Sequence, residues 1–211
     1  SAGYFAKQRM ARNDHVSGTV RSQDKAATLY TAGLTAHVFG PNARDSAIDA
    51  DLAKADALLI SVPPGIGGDP VLAAYAHHIA HAPNLRWIGY LSTIGVYGDH
   101  GGAWIDEQTP ATPTNARSIE RAQAEQAWLA IGAQTNKPVH IFRLAGIYGP
   151  GQSQLVQLAR GTAKRIVKPG QVFNRIHVED IAHAALELAE VVRHTEEATN
   201  NIMDKADAII L

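Results

Sequence analysis

Cysteine is missing from all 211 residues, which removes disulfides, thiolate metal sites and a cysteine nucleophile in one step. That agrees with a reducing compartment, and the cytoplasm is the expected location. An excess of one charge is also lacking: 19 Lys and Arg stand against 20 Asp and Glu, a formal net charge of −1. So balanced a chain has no basic footprint for neutralising phosphates, and nucleic acid is not an expected partner. Long hydrophobic runs are absent as well. Stretches such as ADALLISV fall far short of the ~20 residues that cross a bilayer, and the first residues lack the basic, apolar and small-residue succession of a signal peptide. No membrane contact is expected.

What is present suits a soluble globular domain: 45% of the residues are hydrophobic, and the length is enough for one well-buried core. Short β-branched runs alternate with Ala-rich helical stretches, the pattern of a parallel sheet covered on both faces. Helices are predicted over 2–12, 22–33, 47–55, 71–81, 113–128, 154–160 and 179–193. Strands are predicted over 15–20, 35–40, 57–62, 86–92 and 139–146, with a less regular stretch through KPGQVFNRIHV. The fold class is therefore α/β, a Rossmann-like doubly wound sheet. Pro and Gly mark the strand ends at 61–68, 93–98 and 145–151. In open parallel sheets ligands bind at those carboxyl ends, so SVPPGIGG, STIGVYGD and RLAGIYGPG are expected to line one crevice.

Individual residues sharpen that picture. Arg21, followed by Ser22, comes directly after an early strand; an acidic residue there would hold ribose hydroxyls, whereas Arg accommodates a 2′-phosphate through its planar donor fork. NADP is favoured over NAD on that ground, with an ordinary surface Arg as the other reading. Ser92 and Thr93 bring two hydroxyls to the mouth of the crevice, as donors to a substrate oxygen or as caps of the strand end. Gly146, Gly149 and Gly151 with Pro150 let backbone approach a flat ligand closely, or simply make a sharp turn. The ten histidines are scattered. His77 and His81 have the i,i+4 spacing of a metal pair, yet no carboxylate accompanies them, so a solvated helix face is expected and no metal.

Taken together, LSTIGVYGDHGGAWIDEQTPATP, a helix carrying AEQAW, FRLAGIYGPG and NRIHVEDIAHA resemble the atypical extended short-chain dehydrogenases/reductases, the NAD-dependent epimerase/dehydratase-like proteins, across about residues 1–204. The resemblance implies a nicotinamide dinucleotide cofactor and makes Thr93 the counterpart of the catalytic Ser/Thr. It places Ser61, Val62, Pro63 and Pro64, with Ser92, Leu144, Ala145, Gly146 and Ile147, along the cofactor. Tyr148 and His177 fall on the substrate side, Asp180 in a flanking structural motif, and Tyr97 and Tyr148 in turns rather than at the catalytic tyrosine position. It implies one NAD(P)-binding domain over 1–211, with a partial substrate lobe mainly from 150–178 and 195–211, and NNIMD as a strand. A small-molecule substrate, in the family a sugar nucleotide, and a homodimer are the partners it suggests.

Two departures stand out. The family opens with a strand and a Gly-rich turn, whereas SAGYFA corresponds to the tail of that turn; the first strand and phosphate cradle are expected to be missing from these residues, leaving two strand edges unpaired. The family's Tyr and Lys, four apart on one helix face, are replaced by Arg117 and Arg121. An ammonium beside a phenol lowers its pKa and makes it a proton shuttle; a guanidinium has donors but no acceptor and stays charged. The pair can bind an anion or stabilise an oxyanion, or form a solvated face in which Arg121 meets Glu125 and Arg117 meets Glu120. The leading expectation is an NAD(P)-dependent oxidoreductase or epimerase-like enzyme on a small polar or nucleotide-linked substrate, with Thr93, Arg117 and Arg121 at the reacting centre. The alternative is a non-catalytic dinucleotide sensor.

Overall fold

A computed structural model describes residues 2–40, 45–150, 154–163 and 172–210. Seven helices and seven strands alternate along these residues. β1 (Ser17–Val20) and β2 (Thr35–Val38) pair in parallel, Ser17 opposite Thr35. β3 (Ala57–Ile60), β4 (Trp87–Thr93) and β5 (Val139–Leu144) form a second parallel sheet with β4 in the middle. β6 (Gly146–Tyr148) and β7 (Arg175–His177) make a third parallel pair. The helices are α1 (Ala2–Met10), α2 (Gln23–Thr31), α3 (Ser46–Lys54), α4 (Pro70–His81), α5 (Ala116–Thr135), α6 (Gln154–Ala159) and α7 (Val178–Ile210). This is the Rossmann-like α/β architecture anticipated above. Among the described residues no strand pairs with the outer edge of β3 or the second edge of β1.

Local chemistry sets the helix starts. Asp69 accepts from the amides of Val71 and Leu72 at 2.9 and 3.0 Å, and Pro70 occupies the first helical position of α4, where its missing N–H has no intrahelical partner to lose. Asn115 caps α5 by accepting from Ser118 N at 3.1 Å. That helix ends at Asn136, which takes the left-handed conformation usual for a C-terminal cap. Ser22 and Asp45 cap α2 and α3 in the same way.

The core forms on the two faces of β4, buried along its length except at Thr93. Ile88 and Tyr90 pack with Tyr75 and Ile79 of α4 and Ala124 and Trp128 of α5. Trp87 packs on the opposite face with Ala185 and Ala189 of α7 and stacks on Phe5 of α1 at 6.3 Å between ring centroids. Trp87 bends over Gly89, whose absent side chain leaves the room for it.

Two expectations change. Asn200–Asp204, given by the resemblance as a strand, lies inside α7, whose apolar positions recur at helical spacing from Ile181 through Ala182, Ala185, Leu186 and Ala189. The stretch taken as irregular holds β7, too short for alternation to reveal. Gly151 and residues 164–171 of the anticipated lobe lie outside the described residues.

The crowding at Gly89 has a measurable consequence. A methyl group there would stand 2.3 Å from the Trp87 ring and 2.9 Å from Leu59. Gly89→Ala is expected to lower unfolding free energy by about 1–3 kcal/mol, the usual range for overpacking, in urea denaturation followed by tryptophan fluorescence.

Candidate active site

Parallel pairing brings the strand ends together: Ile60 lies opposite Tyr90, and Thr93 opposite Leu144. The loops after β3, β4 and β5 therefore leave the sheet side by side, as the Pro and Gly positions led one to expect. In the first, Ser61 and Pro63 are exposed while Val62 turns into the core. Gly65 and Gly68 then close a tight turn through two mutual backbone hydrogen bonds.

Thr93 ends β4 and begins a 3-10 turn, Ile94–Tyr97; its Oγ1 accepts from Gly95 N at 3.2 Å, which leaves the hydroxyl hydrogen free to donate. Ser92 points the other way. Its hydroxyl donates to Glu125 of α5, so it serves the interior rather than the crevice. Glu125 is only 1% exposed and is held by Arg143 of β5, whose Nε and Nη2 donate to the carboxylate at 3.2 and 2.8 Å. The carboxylate's hydrogen bond pushes the Arg143 pKa further up. The same guanidinium lies 4.6 Å from the centre of the Tyr97 ring, a favourable cation–π placement. Tyr97 is buried, and its carbonyl accepts from Thr112 Oγ1 at 2.6 Å and lies 3.0 Å from His100 Nε2. Glu125, Arg143 and Tyr97 thus brace the loop that follows Thr93.

The two arginines of α5 separate. Arg121 Nη1 donates to Leu91 O at 2.9 Å and to Tyr90 Oη at 3.3 Å, and its guanidinium lies over the Tyr90 ring at 5.6 Å. It ties α5 to β4 and does not meet Glu125. Arg117, one turn earlier, is exposed and has no hydrogen bond or ion pair among the described residues. The helix descends from the carboxyl end of β4, so its first turn overhangs the strand end while its second lies against the strand. Ser118 follows Arg117; it is buried, and its hydroxyl comes to the same side of Gly95 as Thr93.

The remaining expected residues have the following surroundings. Ser22 spends its hydroxyl on the cap of α2, and Arg21 is exposed with no partner among the described residues. Leu144 and Ala145 are half-buried and Ile147 is exposed. Gly146 makes room for Arg175 and for its own bond to Asn174 O at 3.2 Å. Tyr148 stands edge-on to His177 at 5.1 Å, and His177 Nδ1 accepts from Glu179 N at 3.4 Å. His77 and His81 stack on each other at 4.2 Å, and among the described residues no group of three metal-binding side chains occurs. Ser118 and the Glu125–Arg143 pair are the site features that sequence reading passed over. A signal existed for Glu125: it falls on the buried stripe with Ala124, Trp128 and Gly132, where a charge needs a partner.

Two experiments follow from this geometry. Glu125→Ala leaves Arg143 without its counter-ion and is expected to destabilise by about 3–5 kcal/mol, measured by chemical denaturation. The second concerns alkali. Tyr90 is fully buried, and burial pushes its phenol up to about 12, against a smaller opposing pull from Arg121. In the unfolded chain the phenol ionises near 10. The folded state therefore keeps its proton longer, and the stability this represents is intact below pH ~10 and declines between pH ~10 and about 12. Stability measured across that window should fall less steeply for Tyr90→Phe, and the late step in the phenolate absorbance titration should disappear.

Comparison with known proteins is consistent with this architecture. The model of the NAD dependent epimerase/dehydratase family matches residues 71–202. The human dTDP-D-glucose 4,6-dehydratase is 34% identical over 82 residues, which is 37% of this chain and 23% of that enzyme. A solved structure of a functionally unknown conserved protein from Silicibacter pomeroyi DSS superposes with a TM-score of 0.78 at 45% identity, covering 88% of this chain and 63% of that one. The dTDP-glucose 4,6-dehydratase of Bacillus anthracis, solved in complex with NAD, reaches a TM-score of 0.68 at 16% identity over 86% of this chain and 66% of its own; that likeness concerns the fold. The chain thus spans under two thirds of the Silicibacter protein, and its match to the human enzyme under a quarter.

Proposed function

The chain belongs to the NAD dependent epimerase/dehydratase family, and from that premise we propose that it is a nicotinamide-dinucleotide-dependent oxidoreductase or epimerase-like protein that handles a small polar or nucleotide-linked substrate without the usual Tyr/Lys pair. The observation that carries this reading is the division of labour on α5. Arg121 is lodged on Leu91 O and Tyr90, Arg117 is left free at the helix start, and Thr93 holds a donor-ready hydroxyl at the end of β4.

The residues suit a dinucleotide at the strand ends. Gly65, Gly67 and Gly68 have nothing within 4 Å of where a side chain would begin, so backbone there is open to close approach. Arg21 presents an uncommitted guanidinium for a ribose phosphate, the basis for preferring NADP, although the dehydratase with a matching fold was solved with NAD. Bound, the nicotinamide ring would supply a hydride acceptor or donor. Thr93 would donate a hydrogen bond to the reacting substrate oxygen, and Arg117 would neutralise an anionic substrate group such as a carboxylate or diphosphate. The sugar nucleotide handled by the dehydratases named above makes dTDP-glucose the first substrate to try.

Arg117 and Arg121 have no acceptor, so a proton leaving the substrate would pass to water or to another group. That same fact supports the second reading, a dinucleotide sensor that keeps the fold and has lost the chemistry.

Titration with NADPH and NADH, followed by tryptophan fluorescence, tests the cofactor. NADPH is expected to bind at least about tenfold more tightly, and Arg21→Ala to remove the difference; equal affinities in the parent chain would refute the role of Arg21. Thr93→Ala should abolish hydride transfer from dTDP-glucose or a related sugar nucleotide to the oxidised dinucleotide while leaving dinucleotide affinity within about twofold. Tight binding with no turnover across a substrate panel would establish the sensor.

A further inference from the structure

We propose that Ser118 is a second hydroxyl of the site, hydrogen-bonding the reacting substrate oxygen together with Thr93; the assignment rests on the dinucleotide-dependent reading above. Three observations converge. Ser118 is 6% exposed, yet its hydroxyl has no hydrogen bond among the described residues: only its amide is used, by the Asn115 cap at 3.1 Å. The residue is packed in, but its hydroxyl is not among the described side-chain oxygens sealed without a partner; it keeps an open side at which a ligand oxygen can bond. Second, a side chain built on Gly95 would begin 2.9 Å from Ser118 Oγ and 3.5 Å from Thr93 Oγ1. The missing side chain of Gly95 therefore lets two hydroxyls from different elements, α5 and β4, close on one small niche, which Ser118 Oγ already approaches more closely than a methyl group there would allow. Third, Thr93 keeps a donor for that niche. Its Oγ1 accepts from Gly95 N and still holds its own hydrogen, which suits an acceptor such as a carbonyl or developing alkoxide oxygen.

Ser118 also answers what the loss of the helix tyrosine leaves undone. The phenol that relatives place one residue earlier would donate to that oxygen; here a guanidinium stands at position 117, and the neighbouring hydroxyl turns to the strand end. Ser118 restores a donor and brings no titratable group, so it positions and polarises the oxygen and takes no proton near neutral pH.

Because the chain has no cysteine, each position can be read alone. Ser118→Cys and Thr93→Cys are alkylated with iodoacetamide in the intact chain, with and without NAD+, and followed by intact mass. NAD+ at ten times its dissociation constant is expected to slow both reactions about tenfold by mass action. Protection of T93C with S118C labelled at an unchanged rate overturns the Ser118 assignment and leaves the dinucleotide reading standing. Protection of S118C alone breaks the proposed pairing, and protection of neither brings down both the assignment and the dinucleotide reading. A ligand-independent arm uses Gly95→Ala, whose methyl fills the niche: it should slow alkylation of S118C and T93C alike, and unchanged labelling of S118C would overturn the assignment. If S118C does not fold, Ser118→Ala in the T93C background reports instead. Opening the niche should then speed alkylation of Cys at 93, and an unchanged rate would count against the shared niche.

Discussion

The carboxylate of Glu125 is the constraint on which the site depends. A charge only 1% exposed must be matched inside the protein, because an unpaired carboxylate away from water costs several kcal/mol. Three elements meet to match it: α5 brings the carboxylate, β5 the bidentate Arg143, and β4 the Ser92 hydroxyl. Each side chain fixes the depth at which its element packs. An ion pair of this kind adds little net stability over an apolar substitute of equal shape. What it gives is registry: few other placements of helix against sheet satisfy all the donors at once. Since Arg143 also lies over Tyr97, that registry reaches the loop in which Thr93 and Gly95 stand.

The arginines of α5 acquire different roles from the same geometry. Sequence spacing puts them on one face, and the descent of the helix past the end of β4 then divides them. Arg121 reaches a strand carbonyl and a buried phenol; Arg117, one turn nearer the helix start, overhangs the strand end and stays free. Position 121 anchors α5 to β4, and no phenol stands at 117 for it to act on. On the proposed reading, chemistry at this site is electrostatic and hydrogen-bonding in kind. Without a side-chain proton acceptor on that helix face, rate would have to come from oriented donors at the reacting oxygen, which makes the placement of hydroxyls more consequential than the presence of charge.

The sequence showed its architecture more readily than its site. Helices and strands long enough to display a period were legible: α4 through its Pro70 start and apolar stripe, β3 and β4 through apolar runs bounded by Pro and Gly. The carboxyl-end loops followed from that order, since parallel strands deliver their ends to one side. β7 was not legible because three residues cannot show alternation, and the strand taken from resemblance at Asn200–Asp204 gave way to a helical stripe already running through α7. Within the site, Thr93 was reachable from its motif. Arg121 and Glu125 misled for a common reason: at i,i+4 they read as an exposed pair, and only tertiary packing shows that each is claimed by a strand. Ser118 had no sequence signal, because a lone Ser in a first helical turn usually serves the cap.

The unpaired strand edges bear on how the site is held. In a continuous doubly wound sheet the outer edge of β3 and the second edge of β1 flank the sheet centre, where open backbone groups seek partners. Among the described residues these two edges share no strand, and β1 and β3 are mostly half-buried while β4 is sealed. The two sides of the strand-end crevice are held by different contacts. On the β4–β5 side it is fixed by the ion pair and by the Arg121 tether. On the β1 side, where Arg21 would meet the ribose end of a dinucleotide, its position rests on the β1–β2 pair and the capped α2. On the proposed reading, discrimination at the reacting oxygen falls to the β4–β5 side and cofactor choice to the β1 side, so substitutions at Thr93, Ser118 or Gly95 should affect ligand chemistry without altering the preference between NAD and NADP.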